Sequence, residues 1–152
     1  MERFIVTRME QAGASCDPSF ALEIINIADN IPYYVQFLAS ETWNVSRENK
    51  GVVGQAQIQQ AIENILNNQQ DYFHQLIDTL SSYQKKLLLA LSSERTMIFS
   101  HEYMKKYDLG AISSTQRAFD KLLFSGIIEK DQDNITFSNP FFLKYLQRRV
   151  II

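Results

Sequence analysis

Apolar residues in this chain recur mostly three and four apart, the spacing of helices that bury one face. Phe20, Ala21, Ile24, Ile25 and Ala28 form one such set, and Asp17-Pro18 marks its start. The Asp carboxylate can accept from an orphan backbone N–H, and proline at the first helical position gives up no needed hydrogen bond. Asp29-Asn30 ends the helix, because Asn tolerates the left-handed conformation favoured past helix C-termini. Pro32 opens the next helix, with Ile31, Tyr34, Val35, Leu38, Ala39 and Thr42 on its inner face. From Gly54 the stripe is longest: Ile58, Ala61, Ile62, Ile65, Leu66, Tyr72, Phe73, Leu76, Ile77 and Leu80, with Gln69 its only polar occupant. This predicts one long helix, or two meeting near "NNQQ", with Asp71, His74 and Asp78 on the polar face.

After Leu80 the pattern changes. "SSYQ" has the form of a capping box, Ser81 accepting at the start of a new helix and Gln84 reaching back. "KKLLLAL" continues that helix, "SHEYMKKY" supplies a short one capped by Ser100, and "SSTQRAFDKLLFSG" a third, capped by Ser113 or Ser114 and ended by Gly126. "IIEK" and "ITFS" flank the turn-rich "DQDN" as a hairpin, with Ile128, Ile135 and Phe137 facing inward. A final helix, "PFFLKYLQRRV", follows Asn139 and closes the chain. Three helices, a hairpin and a closing helix are the order of a winged helix, a variant of the helix-turn-helix. The expected fold is therefore mainly α: a helical subdomain over residues 1–80, then a winged-helix domain with a small β-hairpin wing over residues 81–152.

Composition narrows the function classes. An apolar fraction of 45% with 21% charged residues suits a folded globular chain rather than a disordered one. Cys16 is the only cysteine, which excludes an intrachain disulfide, a thiol zinc cluster and a CxxC redox pair; a small buried hydrophobe in a reducing cytoplasm is expected. No apolar run approaches the roughly 18 residues of a membrane span, and no signal peptide is expected. Asp71, His74 and Asp78 read as a solvated helix face rather than a metal site. His101-Glu102 lacks the second histidine of an H-E-x-x-H motif, Lys105 standing there instead. There is no G-x-x-x-x-G-K-[ST] phosphate loop and no catalytic constellation, so no enzymatic activity is expected of this chain.

The stretch "ADNIPYYVQFLASETWN", residues 28 to 44, resembles the lid-subdomain motif of archaeal-type ATPases of the signal-transducing AAA+ (STAND) class, in which Gly-x-Pro-Tyr-Tyr-x-Gln opens a lid helix. "LSSYQKKLLLAL", "SSTQRAFDKLLFSGIIEK" and "SNPFFLKYL" are similar to the winged helix that follows that lid. Asn30 replaces the family's glycine; it can keep a left-handed turn but not glycine's close backbone approach. The resemblance implies that Pro32, with Asn30 and Tyr33 beside it, meets the adenine of ATP or ADP held by an N-terminal ATPase core, this chain having no cofactor of its own. It further implies the C-terminal regulatory piece of a longer ATPase, in which a helix through Leu66 to Leu80 passes lid motion to the winged helix. The bland alternative for Pro32, Tyr33 and Tyr34 is a stapled helix joint.

Charge separates two further readings. Residues 1–80 hold four basic against ten acidic groups, −6, and residues 81–152 hold eleven against seven, +4. On the third winged-helix helix, Gln116, Arg117 and Lys121 would face DNA, with Ser114 and Thr115 near phosphates. Against this, Glu129, Asp131 and Asp133 outnumber Lys130 on the wing, which repels a phosphate backbone. A DNA-binding transcriptional regulator with residues 1–80 as a dimerisation module, and an adaptor whose winged helix meets a protein partner, both remain open. The terminal "RRVII" offers an apolar tail for such a partner.

Overall fold

The computed structural model describes residues 1–150, Val150 by its backbone alone, so the apolar tail lies outside the described residues. The chain forms two compact units, Met1–Gln69 and the residues from Gln70 onward.

The first unit contains α1 (Glu2–Gln11), α2 (Pro18–Ile27), α3 (Pro32–Ser46) and α4 (Gln55–Asn68). Asp17 starts α2 as expected, its Oδ1 accepting from the Ser19 N–H at 2.8 Å and the Ser19 hydroxyl at 2.7 Å. Past Ala28 the chain turns through two left-handed residues, Asp29 (φ 55°) and Asn30 (φ 56°), where the sequence called for one. The Asn30 N–H donates to Ile25 O at 2.9 Å and the Ile31 N–H to Ala28 O at 3.1 Å, which satisfies the carbonyls freed at the helix end. Ala21, Ile24, Leu38, Ile58 and Ala61 are fully buried between the helices. Thr42, the polar member of α3's inner face, is also buried, and its hydroxyl donates to Leu38 O at 2.7 Å. Ser15 and Val52 form a parallel bridge beside Gly51 (φ 76°), where a Cβ would stand 2.8 Å from Gly13 O; only glycine fits. Cys16 is buried, and burial first, then the Asp17 charge, pushes its thiol pKa up, so it is the inert packing residue expected.

The second unit contains α5 (Gln70–Asp78), α6 (Ser82–Ser93), α7 (His101–Lys106), α8 (Ile112–Phe124), β1 (Ile128–Asp131), β2 (Asn134–Phe137) and α9 (Pro140–Val150). The long stripe is interrupted at Gln69, which caps α4 with φ −93° and ψ 0°, so of the two expected arrangements it is two helices meeting near "NNQQ" that form. Phe73 is fully buried with its ring 5.3 Å from Phe142 and 5.1 Å from Tyr145, while Tyr72 of the same predicted stripe is 56% exposed. His74, expected on the polar face, is half-buried with its ring edge-on to Tyr145 at 5.9 Å. Because Phe73 packs on α9, α5 belongs with the second unit, and the boundary lies upstream of the expected break after Leu80.

Local signals around α6 and α7 act as read. Ser81 Oγ accepts from the Gln84 N–H at 3.2 Å and Gln84 Oε1 from the Ser81 N–H at 2.9 Å. Ser100 caps α7 and Asn139 Oδ1 caps α9. α8 departs from expectation: it starts at Ile112 after Ala111 with no side-chain cap, so Ser113 and Ser114 lie within its first turn. β1 and β2 pair antiparallel with Ile128 opposite Phe137 and Lys130 opposite Ile135. Ile128, Ile135 and Phe137 are all buried, as the alternation required.

Phe73→Ala should destabilise the second unit by about 3–5 kcal/mol in urea unfolding followed by far-UV circular dichroism, whereas Tyr72→Ala should change it by no more than about 0.5 kcal/mol.

Candidate functional site

The candidate surface is the outer face of α8, and a hydroxyl network sets that face. The Tyr83 hydroxyl donates to Leu109 O and meets the Thr115 hydroxyl at 2.6 Å. Thr115 Oγ1 also lies 3.2 Å from Met104 Sδ and 3.3 Å from Ala111 O. Thr115 is fully buried, so it is a packing residue and not the phosphate contact expected of it. With Ala118, Phe119 and Leu122 also buried, one face of α8 is committed to the core. The opposite face therefore carries Gln116, Arg117, Asp120, Lys121 and Phe124, all exposed.

Ser114 is half-buried, and with Arg117 and Lys121 it lines a shallow depression of about 460 Å³ beside Ser81 and Gln84. Three of the five DNA-contact candidates thus share one surface. Gln116 does not serve freely, because its Nε2 donates to Asp120 Oδ1 at 3.0 Å. Phe124, which sequence reading passed over, is 96% exposed at the end of the same face. Its spacing from Arg117 and Lys121, seven and three residues, was the available signal.

Several of the second unit's cations are engaged within the fold. Lys106 Nζ lies 2.7 Å from Glu94, which also accepts from the Tyr107 hydroxyl at 3.0 Å, and Lys86 Nζ lies 2.8 Å from Asp108. The Lys106 hydrogen bond, then that from Tyr107, holds the Glu94 carboxyl below its ordinary 4.5. The Lys86 hydrogen bond likewise holds Asp108 below 3.8. Tyr103, whose hydroxyl donates to Glu94 O at 2.7 Å, is pushed well above the usual phenol range by burial. Lys130, the wing's one cation, lies 5.9 Å over the Phe119 ring, while Glu129, Asp131 and Asp133 are exposed.

In the first unit, Asn30 and Pro32 are exposed and Tyr33 is 70% exposed, its ring edge-on to Tyr34 at 5.0 Å and stacked with Phe37 at 6.3 Å. Pro32 lines a groove of about 560 Å³ between α1 and α3 that Asn30 and Tyr33 do not line. Residues 28–37 contain no Lys or Arg, so this joint presents ring and apolar surface without a cation for phosphate. Among the described residues there is no group of three His, Cys, Asp or Glu placed to hold a metal ion. None of the described helices is long and apolar enough to cross a membrane.

The helix-turn-helix of α6 to α8, the hairpin wing and the closing α9 define a winged helix. Residues 71–148 match the family described as a probable winged helix domain, and the chain belongs to that family. The matched segment begins in α5, where Phe73 ties that helix to α9. No curated protein and no solved structure matches the chain. A winged helix supports a role in contacting DNA or protein.

Thr115→Val should cost about 1–3 kcal/mol of stability in urea unfolding, because the Tyr83 hydroxyl loses its buried partner while the outer face is untouched. Glu94 and Asp108 have depressed folded-state pKa values, so their stabilisation is present above the ordinary carboxylate values and is lost as pH falls through the folded ones. The double variant Glu94→Gln, Asp108→Asn should therefore flatten the fall in melting temperature below about pH 4.5, measured by scanning calorimetry.

Proposed function

We propose that this chain is a non-catalytic regulatory module whose winged helix docks on a protein through the outer face of α8. The observation that carries this reading is Phe124, an almost fully exposed aromatic on the same face as Arg117 and Lys121. Aromatic and arginine side chains are the residue types that most often anchor protein interfaces. The wing adds three exposed carboxylates, and Asp120 sits on the face itself, so insertion into a DNA groove would bring negative charge against phosphate.

The resemblance to STAND ATPases supplies the rest of the reading. The first unit takes the role of a lid, and ATP or ADP would reach Asn30, Pro32 and Tyr33 only on an ATPase core that provides the phosphate site. No nucleotide step is assigned to this chain, which lacks phosphate ligands at that joint. The second reading, a DNA-binding regulator, is favoured by Arg117 and Lys121, whose outward placement suits phosphate contact.

Titrating duplex DNA at about 50 and about 200 mM salt distinguishes the two, since phosphate binding weakens steeply with salt. Little binding at either concentration is expected; tight binding at low salt that collapses at high salt would establish the DNA reading instead. A photo-crosslinking amino acid at position 124 should give a discrete protein adduct in cells that disappears on Arg117→Glu.

A further inference from the structure

The first unit carries a concavity that the winged helix does not use and that shares only Pro32 with the lid reading. It runs between α1 and α3, encloses about 560 Å³, and is lined by Phe4, Ile5 and Met9 on one side and Val35, Ala39 and Trp43 on the other. That volume lies within the roughly 300–1,000 Å³ of small-molecule sites. Phe4 is 54% exposed, so an aromatic side chain stands open to solvent at the groove instead of closing it. Trp43 is held by its indole N–H, which donates to Ala12 O at 3.2 Å.

The charge at this groove runs against that of its surroundings. Residues 1–69 hold four basic and eight acidic groups, a net −4, yet Arg8 is the only charged side chain in the lining. Its guanidinium lies 5.7 Å over the Phe4 ring, and among the described residues no carboxylate is within ion-pair distance of it. Arg47 sits 5.4 Å over the Trp43 ring and is likewise without a carboxylate partner. The Arg8 guanidinium, spread on the Phe4 ring in the lining of an apolar groove, is poised for an anion attached to an apolar body, while Arg47 lies over the Trp43 ring outside the lining. Gln36 and Ser40 add polar groups on the α3 side.

We propose that the α1–α3 groove binds a monomeric amphipathic organic anion, an acyl chain or comparable apolar body bearing a carboxylate, with Arg8 pairing the head group. The apolar body occupies the space between Phe4, Met9, Val35 and Trp43, and the anion stays at the rim where Arg8 can reach it. This site is separate from the α8 face and does not depend on any nucleotide.

Trp43 is the chain's single tryptophan, so its emission reports this groove directly. Dodecanoate, titrated below its micelle concentration, should shift and saturate Trp43 emission, while dodecyltrimethylammonium should do so much more weakly. Arg8→Gln should weaken dodecanoate binding by about tenfold or more, the effect of losing a charge-assisted bond, and leave dodecanol binding unchanged. Arg8 is exposed, so this variant keeps its fold, which circular dichroism verifies. Ala39→Leu should reduce binding of both dodecanoate and dodecanol by filling the groove. Unmoved Trp43 emission, equal binding of the anionic and cationic amphiphiles, or undiminished dodecanoate affinity in Arg8→Gln would each overturn the proposal. So would a response to anionic vesicles without one to the monomer, or a concentration-dependent dimer that buries Trp43, observed by sedimentation.

Discussion

The rotation of α8 about its own axis is the constraint on which the functional surface depends, and the contact between the Tyr83 and Thr115 hydroxyls holds it. Successive residues on a helix are about 100° apart, so a slip of one position would exchange buried and exposed residues along the whole element. Tyr83 reaches from α6 to the Leu109 carbonyl as well as to Thr115, which fixes the turn before α8 and the first turn of α8 together. α8 has no side-chain cap, and this anchoring takes the place of a local start signal. Arg117, Lys121 and Phe124 then point outward as a consequence of core geometry.

The wing is positioned by the same kind of packing. Phe137 of β2 lies 6.4 Å from Phe142, which in turn contacts Phe73, so hairpin, α9 and α5 share one aromatic cluster. Arg95 is placed 5.7 Å over Phe137 and donates to Leu91 O at 2.9 Å, and Lys130 covers Phe119. Lys86, Lys106, Arg95 and Lys130 thus serve inside the unit. The two ion pairs take up one cation and one anion each, so they leave the net +4 of residues 81–152 unchanged.

The first unit is organised around a stiff joint. Two consecutive left-handed residues between α2 and α3 are costly for side chains other than glycine, and Asp and Asn are the types that tolerate this conformation best. The joint sets where α3 begins, and α3 with α1 forms the groove. The α8 face and the groove are built by different devices, one by a buried hydroxyl pair and the other by incomplete closure of two helices.

Most helices were legible because their start signals act within a turn of the residue that carries them. Asp17, Ser81 and Ser100 each bond a backbone N–H two or three residues away. The inward set of the hairpin was legible too, since period-two alternation leaves only one way to bury Ile128, Ile135 and Phe137. The site was less so. Arg117 and Lys121 could be placed on an outer face by spacing, but the burial of Thr115 depends on Tyr83, 32 positions away. Likewise the inward turn of Phe73 rather than Tyr72 depends on rings of α9 that no local pattern announces. Sequence by itself determined most of the helical segments, though not α1, where several of them start, and that a wing follows the third helix of the second unit. Tertiary structure decided which face of each helix is free, because that choice is made by side chains distant in the chain that meet only once the core has closed.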